Sequence, residues 1–134
     1  MATAGTARTP GQMFALVFGA VYLLVGILGM FVSTNMDAER LIAFDVNVVH
    51  NIVHLAVGAL WLIGSRTASA AKSVNLLIGV VYLLVAILGF ADVKFLTEDL
   101  LGKVNAGDNV LHLVSGVLAL YFGTAGAGTR AATV

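Results

Sequence analysis

Gly19-Ala-Val-Tyr-Leu-Leu-Val-Gly-Ile-Leu-Gly-Met-Phe31 returns sixty residues later as Gly79-Val-Val-Tyr-Leu-Leu-Val-Ala-Ile-Leu-Gly-Phe-Ala91, with nine of thirteen positions identical. Behind each copy comes a second match. Asn51-Ile-Val-His54-Leu-Ala-Val-Gly58 aligns with Asn109-Val-Leu-His112-Leu-Val-Ser-Gly116, and Val46-Asn47 aligns with Val104-Asn105. Apolar sequence produces chance Leu and Val matches, but not a shared register of Tyr, Asn, His and Gly. The chain is a tandem repeat of two helical hairpins, and internal repeats of this kind decide the architecture before any other signal.

Charge places the repeats in their solvent. Of 134 residues 60% are hydrophobic and only 10% charged, seven basic against seven acidic, where a soluble domain carries about 25%. Mean hydropathy is +1.01. Fourteen charges cannot clothe a soluble surface. That excludes a soluble enzyme and a disordered tail, and zero net charge with no basic patch excludes a nucleic-acid binder. Cysteine is absent, which removes disulfides, thiolate metal sites and thiol chemistry.

Charge-free intervals run from Arg8 to Asp37 (28 residues), Asp45 to Arg66 (20), Lys72 to Asp92 (19) and Asp108 to Arg130 (21). A bilayer core of about 30 Å needs about 20 helical residues. Four spans follow, near Met13–Val32, Val46–Gly64, Ser73–Ala91 and Val104–Gly123. The fold expected is an all-α transmembrane four-helix bundle in one domain over residues 1–134, with repeat units 13–64 and 73–123 and tails 1–12 and 124–134. Because two spans return the chain to its starting side, the hairpins are related by a pseudo-two-fold axis along the membrane normal. The first apolar run is too long for a signal-peptide core and has an internal copy, so it is expected to be retained.

Arg8, Arg66, Lys72 and Arg130 fall on one side of the bilayer, and Arg40, Lys94 and Lys103 on the other. Arg66 and Lys72 share a short loop without an acid. The expectation is a multi-pass protein of the cell membrane with both termini in the cytoplasm. Short interfacial helices are expected at Leu41–Phe44 and Phe95–Leu101.

Within the first helix of each unit, small residues and tyrosine recur at steps of four and three: Ala15, Gly19, Tyr22, Gly26 and Gly29, then Asn75, Gly79, Tyr82, Ala86 and Gly89. Such a 3.5-residue period makes a close-packed seam, because small residues let membrane helices approach. In the second helix of each unit, Asn47, His50, Asn51, His54 and Gly58 fall within roughly 100° of the circumference. Asn105, Asp108, Asn109, His112 and Gly116 repeat that stripe, with Asp108 in the place of His50. Polar groups facing hydrocarbon are costly, so both stripes turn inward, and the opposite half of the bundle is expected to be dry.

Three uses of the stripes stay open. As a structural device, Asn and His side chains bond across helices and fix the register of the hairpins, Asn47 and Asn105 cap their helices, and Asp108 accepts from His50 or His112. The protein is then an accessory or interaction protein of the membrane, alone, as a homo-oligomer or within a larger complex. As a redox or metal centre, His50, His54, Asp108 and His112 converge on zinc, copper or iron, or His54 and His112 alone become axial ligands of a haem. As a polar pocket, Tyr22, Tyr82 and Trp61 supply ring faces to a quinone or a lipid headgroup. Hydrolytic catalysis lacks its parts, and Ser115 reads as a hydroxyl at a helix interface.

The paired N-x-x-H-L-x-x-G motifs at Asn51–Gly58 and Asn109–Gly116, each preceded by Asn47 or Asn105, resemble a small four-span bacterial membrane family common in actinobacteria. It is known only as a domain of unknown function (the 4383 type). The resemblance runs from about Met13 to Gly123. It implies a membrane protein of four spans and carries over no activity.

Overall fold

A computed structural model describes residues 7–101 and 104–128. Lys103 and Arg130, two of the basic residues behind the expected orientation, and the ends of both tails lie outside the described residues. Four main helices carry the fold: α1 (Pro10–Val32), α2 (Val48–Gly64), α3 (Ala68–Phe90) and α4 (Ala106–Gly123). Among the described residues α1 and α3 are long and apolar enough to cross a membrane, with mean hydropathies of 2.5 and 2.4. The α2 helix is apolar but shorter.

Side-chain caps set the helix starts. Thr9 accepts from the Gln12 amide (3.2 Å) while Gln12 Oε1 accepts from the Thr9 amide (3.1 Å), a reciprocal box ahead of Pro10 in the first turn of α1. Thr67 accepts from the Ala70 amide at 3.1 Å. Its cap starts α3 at Ala68, earlier than the expected Ser73, and brings Lys72 into the helix. Lys72 is exposed there, and its long stem carries the ammonium away from the apolar body.

The helices pack in pairs, α1 on α2 and α3 on α4. Glycine is what lets them touch. A Cβ on Gly58 would lie 2.5 Å from the Leu23 amide nitrogen, and one on Gly19 would lie 2.8 Å from that of Leu62. In the other pair, Gly116 faces the Leu83 amide nitrogen at 3.0 Å and Gly79 that of Leu120 at 2.9 Å. Backbones in such contact gain dispersion that no larger side chain would permit. Between the pairs α1 and α2 both pack on α3, whereas α2 and α4 share no comparable contact. The seam residues Ala15, Gly19, Tyr22, Gly26 and Gly29 are buried, as are Asn75, Gly79, Tyr82, Ala86 and Gly89.

The connections at one end of the bundle are unlike each other. Leu41–Phe44, expected as an interfacial helix, belongs instead to an antiparallel hairpin of β1 (Glu39–Leu41) and β2 (Phe44–Val46). Four residues are too few to nucleate a helix. The hairpin is held by strand pairing and by an Arg40–Asp45 ion pair of 3.3 Å, with exposed Ile42 at a positive φ of 60° in the turn. In the second connection Phe95–Leu100 is helical, of the π type, with the Leu101 amide donating to Leu96 O at 3.1 Å.

The other end of the bundle is not dry. Trp61 Nε1 donates to Asn75 Oδ1 at 3.0 Å, and Asn75 Nδ2 donates to Gly11 O (3.1 Å) and Phe122 O (3.4 Å). Gln12 Nε2 donates to Ser65 O at 3.0 Å. Trp61 and Asn75 are both fully buried. One indole therefore fills the middle of this end, and one amide ties three helices around it.

Two measurements check this packing. Gly58→Ala must push α1 and α2 apart, and over-packing of this kind costs about 1–3 kcal/mol; the midpoint of thermal unfolding in mild detergent falls, and an unchanged midpoint would refute the contact. Asn75→Ala leaves the Trp61 N–H and two carbonyls without their partner, a loss of about 1–3 kcal/mol. Because the chain has one tryptophan, the emission spectrum reports the same change directly.

Candidate functional site

Asparagine builds the frame. Asn47 caps α2 by accepting from the His50 amide (2.9 Å), and Asn105 caps α4 by accepting from the Asp108 amide (3.1 Å). Asn51 Nδ2 donates to Ser33 O at the end of α1 at 2.9 Å. Its Oδ1 has no conventional partner and lies where a Cβ on Gly29 would fall; Asn109 Oδ1 stands in the same relation to Gly89. In both hairpins a glycine Cα–H is thus directed at an amide oxygen, a recurring weak hydrogen bond. The Asn and Gly of each repeat are there to dock one helix end on the next.

One turn further along, the imidazoles of His54 and His112 are free of that work. His54 packs on Tyr22 with ring centroids 5.1 Å apart, and His112 packs on Tyr82 at 5.2 Å. The two tyrosine rings are 5.4 Å apart and the two imidazoles 6.5 Å. His50 completes a triangle, 4.6 Å from His54 and 5.9 Å from His112. One ligand nitrogen from each of the three lies within 4.8 Å of the others, and all three side chains are buried. Among the described residues, His50 Nε2, both nitrogens of His54 and Nδ1 of His112 make no hydrogen bond. Each such orphan costs about 1–3 kcal/mol.

His50 has a defined tautomer. Its Nδ1 lies 3.2 Å from the Asp45 carbonyl oxygen, which can only accept, so Nδ1 carries the proton and the Nε2 lone pair faces the other imidazoles. A backbone carbonyl behind the donor ring is the usual outer support of a metal-bound histidine.

Asp108 does not join the cluster. Its Oδ2 accepts from the amides of Asn105 (3.0 Å) and Asp45 (3.2 Å), closing a capping box at the start of α4 and holding β2 against it. Both bonds point it toward the connections, and it is not among the residues whose ligand atoms converge with His50 and His112. Asn105 Nδ2 donates to Ala43 O at 3.1 Å and extends the same clasp. Of the eight stripe residues seven are buried, and Asn105 is half-buried.

A cavity of about 200 Å³ opens on the three imidazoles. Tyr82 also lines it, and aliphatic side chains from α2, α3 and the π-helix make up the rest. On the π-helix, Glu98 accepts from Lys94 at 2.9 Å and so raises the pKa of the exposed Lys94 ammonium. A larger groove of about 370 Å³ at the opposite end is walled by Pro10, Met13, Phe14, Val17, Phe18 and Phe122, with no polar side chain to do chemistry.

Two sequence expectations are corrected by this packing. Trp61 offers no face to a quinone: it is fully buried, with Phe14, Phe18, Tyr22 and Tyr82 around it at ring distances of 5.2–6.0 Å. A haem on His54 and His112 would need more room than the cavity of about 200 Å³ beside them, into which His50 also projects, since even drug-sized ligands need about 300 Å³ or more. Reading the stripes alone also missed the Trp61–Asn75 lock. The repeat held its signal, since Trp61 and Asn75 stand where the other copy has Ala119 and Ala15. Ser115 accepts the Tyr22 hydroxyl at 2.7 Å. Its counterpart Val57 can accept nothing, and among the described residues the Tyr82 hydroxyl finds no hydrogen bond.

No curated protein and no solved structure matches the chain. The family model of DUF4383, a domain of unknown function, matches residues 12–125, and the chain belongs to that family.

Proposed function

We propose that the chain is an integral membrane protein of four spans that binds one transition-metal ion on His50, His54 and His112. Outward faces on all four helices support the membrane reading: Val17, Leu24, Ile52, Ile63, Leu84, Ile87, Val114 and Val117 are among many large apolar residues left exposed. A soluble monomer rarely leaves an apolar surface wider than a few hundred Å². The two hairpins then share a pseudo-two-fold axis along the bilayer normal, with both unlike connections outside and both termini in the cytoplasm.

The observation that carries the metal reading is the set of buried imidazole nitrogens without partners, gathered within 4.8 Å. Nitrogens bound about 2.0–2.1 Å from one ion lie about 3.4 Å apart, which small torsions at Cβ reach. A purely structural role suits the asparagines, whose amides bond across helix ends, but it leaves the histidines unexplained. An accessory role in the membrane and metal binding are compatible. Three neutral donors leave the charge of the ion uncompensated in an apolar cavity. The desolvation cost rises with the square of that charge, which favours copper(I) over zinc(II) unless an anion enters with it. Three protein ligands leave a coordination position open.

Purified protein in mild detergent, loaded with copper(I) or zinc and desalted, is expected to retain near one ion per chain. His54→Ala and His112→Ala each weaken binding by more than about 100-fold, beyond the loss typical of an outer-shell change, with helix content by circular dichroism unchanged. Retention falls as pH drops, because protons compete for the same lone pairs. A well-folded protein that holds neither metal would overturn the reading. Orientation is tested separately. In this cysteine-free chain, Met36→Cys reacts with an impermeant maleimide on intact cells and Ser69→Cys does not; the reverse pattern inverts the topology.

A further inference from the structure

We propose that a small neutral molecule of the size of a diatomic gas reaches the three-histidine centre from the lipid phase, through the gap between α2 and α3. The inference rests on the metal reading above and adds what the open coordination position receives. Val53 and Val57 on α2 and Val81 and Val85 on α3 line the cavity together with the three imidazoles. Val53 and Val81 are 37% and 44% exposed on the outward surface, and Val57 and Val85 are half-buried behind them. The side chains that wall the cavity thus include two valines exposed where acyl chains would lie and the imidazoles that carry the unpartnered nitrogens.

From the connection side the cavity is roofed. Leu96, Leu100 and Leu101 cover it, and Leu101 is buried. The roof is pinned to α2 by Asn47 Nδ2, which donates to Leu100 O at 3.5 Å, and stiffened by the Val104 amide donating to Thr97 O at 2.9 Å. A polar metabolite too large to be stripped of water and held by the imidazoles would meet three leucines and no polar group to replace its hydration. A neutral molecule dissolved in the bilayer meets no such barrier.

Size narrows the class. Organic ligands of drug size need pockets of about 300–1,000 Å³, whereas dry apolar cavities of about 150 Å³ take up xenon or benzene. The cavity of about 200 Å³ belongs with the second group, and part of it is given to the metal and its open position. Oxygen, nitric oxide and carbon monoxide fit both the size and the coordination chemistry. The repeat makes the route one-sided. In the other hairpin the position of Val57 is Ser115, whose hydroxyl is engaged by Tyr22 at 2.7 Å, and the position of His50 is Asp108.

Carbon monoxide is the probe. Copper(I)-loaded protein in phosphatidylcholine nanodiscs is expected to show an infrared C–O stretch distinct from that of dissolved gas. Val57→Phe and Val85→Phe fill the gap and slow the appearance of the band by about tenfold or more, with copper per chain unchanged. Val25→Phe, at the equivalent position on α1, leaves the rate alone. Copper retained without any carbonyl band overturns this inference and spares the metal reading. Equal rates in all variants overturn the route, and protein that binds no copper overturns both.

Discussion

Backbone contact inside each hairpin is the constraint on which the rest of the structure depends. Gly19 and Gly58 let α1 and α2 approach until the main chains touch, and Gly79 and Gly116 do the same for α3 and α4. Where the first helix carries Gly29 or Gly89 it leaves the seam open, and the second helix supplies the amide that fills it. Asn51 settles on Gly29 and Asn109 on Gly89 for this reason. Close packing and polar bonds across the seam hold each hairpin together.

The hairpins repeat these contacts but depart from each other along the line where they meet. Two indoles cannot occupy one volume, and the middle of one end holds Trp61 from the first hairpin against Ala119 from the second, with Asn75 against Ala15 to receive its N–H. The other end is divided by chemistry instead of size. His50 joins two symmetric imidazoles, while Asp108 at the matching position turns outward to hold the β-hairpin. A duplication provides the matched pair, and these departures convert it into one site on one side.

Amide and imidazole, though neighbours on the same stripe, have separate tasks. The amides satisfy helix ends and connections, where main-chain groups need donors and acceptors. The imidazoles of His54 and His112 lie one turn deeper, and there, among the described residues, both nitrogens of His54, Nδ1 of His112 and the Nε2 of His50 find nothing to bond. Polar atoms left in this condition inside an apolar bundle are expensive, and a bound ion is the simplest compensation that three convergent lone pairs allow.

Four helices, their order and the Asn47 and Asn105 caps were legible in the residues alone, because charge-free length, the repeat and the spacing of Gly and Asn are local properties of the chain; the Thr9 and Thr67 caps were not read, and α3 therefore starts earlier than expected. That both stripes would be hidden was legible too, since a 3.6-residue period places Asn51, His54 and Gly58 on one face. Sequence could not say that Asp108 would leave the histidines, that Leu41–Phe44 would turn back as a β-hairpin, or that Trp61 and Asn75 would lock the other end. Each of these depends on which side chains from distant segments arrive within hydrogen-bonding reach. The three-histidine cluster belongs to the same class: periodicity gives each imidazole a face and a depth, but only the packing of the two hairpins, α1 and α2 on α3 with Tyr22 against Tyr82, brings His50, His54 and His112 to a common point, and no single helix contains that contact.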